Sequence, residues 1–192
     1  MKAAFIAGLG MLIAGGAVAQ EIRPQEQARL DRFERLAGTA LLEAMAQGEA
    51  SDVAALSGAL AGVPQVAFDP SLNGEWKCRT MKLGGAPRLV VYSNFKCRMS
   101  LDNTGVVFEK LSGSQRTSGR IEMREGRAVY LGVGYVASEE PQNYADLDPA
   151  FEGSGTITPD VAVFERISDR RARLMFPAPV NENDFDILEL TR

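Results

Sequence analysis

Two hydrophobic rhythms divide the chain. Between residues 24 and 47, apolar side chains recur at three- and four-residue steps: Leu30, Phe33, Leu36 or Ala37, Ala40 or Leu41, and Ala44 or Met45. That spacing predicts an amphipathic helix. Pro24 suits its first turn and Gly48 its stop. A second helix is expected over 52–60, with Ser51 as its cap and Val53, Leu56 and Leu60 on its apolar face. From Gly74 the rhythm changes to short alternating runs separated by turn residues. Strands are expected near 75–82, 89–100, 105–111, 116–124, 127–136, 161–168, 171–176 and 184–191. Asp102-Asn103-Thr104-Gly105, Glu125-Gly126 and Ser168-Asp169-Arg170 mark tight turns. Eight antiparallel strands with short connections point to a mainly β fold, an up-and-down barrel preceded by a helical segment. A two-sheet sandwich is the alternative.

Phase assigns the faces. Thr117, Gly119, Ile121 and Met123 share one side of their strand, opposite Arg116, Ser118, Arg120, Glu122 and Arg124. Ala172, Leu174 and Phe176 oppose Arg171 and Arg173. Trp76, Cys78 and Thr80 share a face, as do Val91, Phe95, Cys97 and Met99. The two cysteine-bearing sets are expected to point inward. The strand at 127–136 is apolar on both faces, as a central strand or one covered by the N-terminal helix would be. The long connection 138–160 is acidic and rich in Gly and Pro. Connections of this length are usually functional or disordered, so it is a candidate lid over one barrel mouth.

Residues 1–19, MKAAFIAGLGMLIAGGAVA, read as a signal peptide: Lys2, a short apolar core, then Ala17-Val18-Ala19 as the cleavage motif. Cleavage after Ala19 directs the chain to the periplasm. The remainder divides into a helical segment (20–62), a connector (63–73) and the β domain (74–192). No later stretch is long enough to span a membrane as a helix. Losing Lys2 makes the mature chain one unit more negative than the −4 of the full sequence. An acidic balance argues against nucleic acid as a partner. Two cysteines in an exported chain predict one disulfide, Cys78 with Cys97.

Those cysteines sit in WKCRTMKLGGAPRLVVYSNFKCRMSL, which holds six basic residues and no acid. With Cys78 across from Cys97, Lys77 would oppose Arg98 and Arg79 would oppose Lys96. Like charges placed so are unfavourable. Together with Lys82 and Arg88 they form a candidate anion-binding rim, whose reversal at Arg79 and Lys96 would weaken binding. The competing expectation is neutralisation by Glu109, Glu122 or the acids of 139–152. Ser114, Gln115 and Arg116 form a candidate polar edge, with a plain hairpin turn as the simpler reading. Trp76, Phe95 and Tyr130 are candidate interior residues around a cavity.

The chain has no histidine. That removes the commonest general base, the usual nucleophile systems and most zinc sites. Asp146-x-Asp148 lacks the rest of a calcium loop. No metal or cofactor is expected, and an enzyme is the least expected class. It would need a buried carboxylate pair in a cleft.

The segments CRTMKLGG (78–85), VVYSNFKCRM (90–99), KLSGSQRTSGRI (110–121), VYLG (129–132), VFERISDRRARLMFP (163–177) and DILEL (186–190), with DRFERLAGTALLEAMAQG (31–48), resemble an exported proteobacterial family, domain of unknown function 4893. The resemblance implies no activity. Gly74-Glu75-Trp76 is also similar to the G-x-W of lipocalin-like barrels, where the Trp closes one end and a small apolar ligand often sits inside. Periplasmic inhibitors of secreted metalloproteases share that barrel. Arg173 or Arg192 would serve as the C-terminal Arg partner of such a Trp. The expected function is therefore a periplasmic binding protein for a small or anionic envelope ligand. The alternative is a protein–protein module or an inhibitor of an exported enzyme. A lumen packed throughout would favour the partner; an open cavity would favour the ligand.

Overall fold

The computed structural model describes residues 20–65, 68–181 and 183–192; the expected leader, 1–19, lies outside them. Eight antiparallel strands close into one barrel: β1 (Gly74–Leu83), β2 (Leu89–Asp102), β3 (Gly105–Lys110), β4 (Gln115–Arg124), β5 (Arg127–Val136), β6 (Ile157–Ser168), β7 (Arg171–Pro177) and β8 (Phe185–Thr191). Each pairs with its sequence neighbours, and β8 returns to β1. The fold is thus the up-and-down barrel and not the sandwich. Glu125 and Gly126 both take positive φ, 50° and 82°, the two-residue turn whose twist matches the strands it joins. β6 begins at Ile157, ahead of the expected 161, because Thr158 and Asp160 interrupt its apolar pattern while its backbone stays paired with β5.

Three helices lie outside the barrel: α1 (Pro24–Leu30), α2 (Phe33–Gln47) and α3 (Ala50–Leu60). The single helix expected over 24–47 breaks at Asp31–Arg32, where the Arg32 N–H bonds the Arg29 carbonyl in a tighter turn. A straight helix of that span would run about 36 Å, and the bend lets its apolar stripe follow the curved wall. α3 starts ahead of Ser51 without a side-chain cap. Phe33, Ala40, Ala44 and Leu56 pack with Met81, Leu83, Phe185 and Ile187 on the outer wall. Phe33 meets Phe185 edge-on at 5.4 Å. The outer face of β5 lies under a 3-10 turn at Tyr144–Asp146.

That turn makes the long connection a strap rather than a lid. The Tyr144 hydroxyl donates to Glu26 Oε2 at 2.7 Å and accepts from the Arg23 N–H at 3.1 Å. Arg23 bonds Glu26 at 2.7 Å and the Asp148 carbonyl at 2.9 Å. Of the connection ahead of β6, Gly155 and Thr156 reach the barrel mouth.

Cys78 and Cys97 form a disulfide with Cα atoms 5.9 Å apart. The register differs from expectation: Trp76 opposes Cys97 and Cys78 opposes Phe95, so the bridge runs diagonally between inward residues. Lys77 then faces Lys96, Glu75 faces Arg98 and Arg79 faces Asn94. Past Arg79 the register shifts by one residue. One extra residue reverses a period-two pattern, so Leu89 and Val91 turn out toward the helices while Phe95, Cys97 and Met99 point in.

One barrel end is sealed. A 3-10 turn at Pro70–Leu72 precedes β1, and Trp76 Nε1 donates to the Leu72 carbonyl at 2.9 Å. The Arg192 guanidinium stacks 4.1 Å over the Trp76 ring and donates to the carbonyls of Ser71, Leu72 and Asn73. Arg192, and not Arg173, is therefore the partner of the Trp. Arg173 lies on the outer wall, held by Glu165 and the Ala59 carbonyl.

Candidate functional site

The lumen changes character along its axis. On four strands, apolar residues sit toward the sealed end and polar ones toward the open end. On β1 the series is Trp76, Cys78, Thr80, Lys82. On β3 it is Val106, Phe108, Lys110. On β6 it is Phe164, Ala162, Asp160, Thr158, and on β8 Leu190, Leu188, Asp186. Met99, Phe108, Ile121, Tyr130 and Leu174 are fully buried and fill the apolar half. The Tyr130 ring meets Phe108 and Phe176 edge-on, each at 5.9 Å. Above this plug the mouth holds a cavity of about 150 Å³, lined by Lys82, Lys110, Gln115, Thr117, Asp160 and Asp186 among others.

Hydroxyl groups build the floor. Thr117 Oγ1 donates to Asp160 Oδ2 at 2.7 Å and lies 2.7 Å from the Tyr130 hydroxyl, which donates to it in turn. Thr158 Oγ1 donates to Asp160 Oδ1 at 3.2 Å. Two glycines of β5 make room: a Cβ on Gly132 would strike the Tyr130 hydroxyl, and one on Gly134 would lie 2.5 Å from Thr158 Oγ1 and 2.8 Å from Asp160 Oδ2. Behind Asp160, Arg29 bonds the carbonyls of Pro159 at 2.9 Å and Ala178 at 3.3 Å.

The charges sort around the wall. Strands β1 to β4 supply Lys82, Lys110 and, at the rim, Arg116; β6 and β8 supply Asp160 and Asp186. Lys110 Nζ donates to the Gln115 carbonyl and rests 4.1 Å over the Phe95 ring. Burial first, then repulsion from Lys82 and Arg116, pushes Lys110 down to about 8. Lys82 donates to Gln115 Oε1 at 3.2 Å and is lowered by burial against the attraction of Asp186, its register partner. Burial pushes Asp186 up to about 7 although Lys82 and a 3.3 Å bond from Asn183 oppose it. Asp160 is raised by burial, against its hydroxyl donors and Arg29. Such a ring can bind a polar molecule by charge and hydrogen bond, and it can exchange protons near neutral pH. Among the described residues, no group of three His, Cys, Asp or Glu side chains gathers to hold a metal.

The expected basic rim does not assemble. Lys77, Arg79, Lys96 and Arg98 alternate with the inward cysteines and so point outward. Arg79 pairs with Glu189 at 2.7 Å and Arg98 with Glu109 at 3.4 Å. Arg88 pairs with Glu43 of α2 at 3.1 Å. Lys77 and Lys96 are exposed. Glu122 binds Arg120 and Arg124 instead. Lys82, in phase with Trp76 and Cys78, is the member that enters the mouth. The Ser114 carbonyl accepts from the Ala137 N–H at 2.8 Å, while Gln115 and Arg116 line the cavity. Trp76, Phe95 and Tyr130 all point into the lumen, but at different heights; they underlie the cavity rather than surround it.

Sequence reasoning missed Lys110, Thr158, Asp160 and Asp186. Each stands in phase with inward apolar residues of its own strand, which was the available signal.

The fold and its mouth define a closed eight-stranded up-and-down barrel, compatible with the lipocalin-like resemblance, with a polar pocket above an apolar plug. The chain belongs to the family described as Domain of unknown function (DUF4893), whose model matches residues 19–190. No curated protein matches the chain.

Proposed function

We propose that this barrel is an exported binding protein whose open mouth holds a small polar ligand. One observation carries the reading: among the described residues, two carboxylates and two lysines, with Arg116 at the rim, turn into a solvent-reachable cavity above the apolar plug. Buried charges weaken a fold unless something compensates them, and apolar side chains at these positions would pack as the sealed half does. The aromatic plug leaves no bore for an acyl chain, which favours a compact polar ligand over a lipid. The disulfide supports an oxidising compartment.

Native mass spectrometry of protein taken gently from the periplasm tests this. A co-purifying small molecule, lost on Gly134→Ala because its methyl group intrudes on Thr158 and Asp160, is the expected result. A clean mass together with no thermal shift from periplasmic metabolite extract would remove the reading and leave a protein partner. That alternative rests on a lumen packed throughout, and here only the sealed half is.

A second reading, acid–base catalysis, is favoured by the carboxylate pair and by proton affinities near neutrality at Asp186 and Lys110. Recovery of a chemically altered ligand after incubation would favour it over simple binding.

A further inference from the structure

We infer that the ligand is a compact amphoteric molecule, an amino-acid-like zwitterion, whose anionic end meets Lys82 and Lys110 and whose ammonium end meets Asp160 and Asp186. The inference rests on the pocket reading above and names the chemistry of its occupant.

Asp160 stands across the cavity from Lys110, whereas Asp186 lies beside Lys82, its register partner. Lys82 and Lys110 both donate to oxygens of one residue, Gln115, so their ammonium groups lie close together on one side. The Lys110 ammonium has a neutral carbonyl and an aromatic face for partners. Across the lumen, Asp160 is oriented by Thr117 and Thr158, with its Oδ2 at the edge of the space that Gly134 leaves open. A lone anion near Lys110 would be drawn by Lys82, Lys110 and, at the rim, Arg116, and would face the Asp160 and Asp186 carboxyl groups in the same small space. A lone cation would meet the reverse. A molecule carrying both charges satisfies both sides and adds no net charge to a desolvated site.

Size narrows the class. A cavity of about 150 Å³ matches one that accepts a benzene-sized guest and falls short of drug-sized pockets. That admits a short amino acid or amino alkanoate of about ten non-hydrogen atoms or fewer. The threonine hydroxyls around Asp160 suit an ammonium or hydroxyl group at that end.

The test uses the full mature protein, unfolded and refolded with its disulfide to release any carried ligand. Isothermal titration at neutral pH compares 4-aminobutyrate, 5-aminopentanoate, 6-aminohexanoate and L-α-amino acids of up to six carbons with pentanoate and pentylamine. At least one zwitterion should bind, about tenfold or more tighter than either singly charged control. Lys110→Met and Asp160→Asn should each weaken it about tenfold or more. Because the probe series is run on the unaltered protein, the outcome does not depend on those variants folding. Equal binding of pentanoate would overturn the inference in favour of an anion site, and equal binding of pentylamine in favour of a cation site. If no zwitterion binds while a molecule still co-purifies, this inference falls and the pocket reading stands. If neither occurs, both fall.

Discussion

Asp186→Asn probes the pocket most sharply. In the folded barrel the Asp186 carboxyl is pushed up to about 7 by burial, whereas an unfolded aspartate titrates near 3.9. The folded state therefore holds the proton more tightly. Folding stability falls as pH rises from about 4 to about 7 and stays low above that. Three pH units correspond to about 4 kcal/mol at most, and solvent reaching the carboxylate through the mouth trims this to about 2 to 4 kcal/mol. Asparagine keeps the size and the acceptor used by Asn183, but it cannot ionise. Between pH 5 and 8 the stability advantage of Asp186→Asn over the unaltered protein should widen by about 1 to 3 kcal/mol. Urea unfolding followed by circular dichroism at four or five pH values reads this directly. Groups common to both proteins cancel in the difference. Parallel profiles, or a gap that narrows toward pH 8, would refute the claim that Asp186 ionises at a net cost inside the lumen. The same cost is what a bound ammonium group would relieve, so saturating ligand should flatten the profile of the unaltered protein.

Three further outcomes follow from the architecture. Replacing Cys78 and Cys97 together by alanine should cost about 3 kcal/mol in equilibrium denaturation, the value for closing a loop of this length. Arg192→Ala removes the guanidinium from Trp76 and from the carbonyls of residues 71–73, at about 1 to 3 kcal/mol. Trp76 is the only tryptophan, so a red shift of its emission should accompany the loss. Tyr144→Phe deprives buried Glu26 of a donor and the Arg23 amide of its acceptor, and should cost about 1 to 3 kcal/mol. Hydrogen exchange should then quicken in the strap at 138–156 while the sealed end stays protected.

The barrel was legible because its strands alternate cleanly and its turns carry their own chemistry. Glu125-Gly126 and Asp102 to Gly105 fix hairpin ends locally, and Trp76, Cys78, Cys97 and Met99 declare an inward face through phase alone. What stayed hidden depends on contacts that phase does not carry. The register of β1 on β2 is set by the whole barrel, so the two cysteines meet diagonally rather than side by side. The extra residue near Tyr92 turns Val91 outward, and nothing in its neighbours announces this. The basic run looked like a single surface because it is continuous in sequence; its partners Glu43, Glu109 and Glu189 come from three other elements. The pocket was half legible. Asp160 and Asp186 sit in the inward phase of β6 and β8, but a charged residue near a strand end also reads as part of a loop, as Asp160 does at the end of the acidic connection 138–160.

Seven of the eight strand pairings join sequence neighbours, and the eighth joins β1 to β8. This makes assembly uneven in time. Hairpins of adjacent strands pay little loop entropy and can zip early, whereas the closing seam must bring together the two ends of the β domain. The disulfide lies wholly within the first hairpin, so oxidation can be complete while the sheet is still an open, curled ribbon. The seam then forms between an already stapled strand and the last one, with Arg79 of the first reaching Glu189 of the second. The two outward charges that looked misplaced on a cysteine hairpin, Arg79 and its neighbour Lys77, line the lip along which the ring is drawn shut.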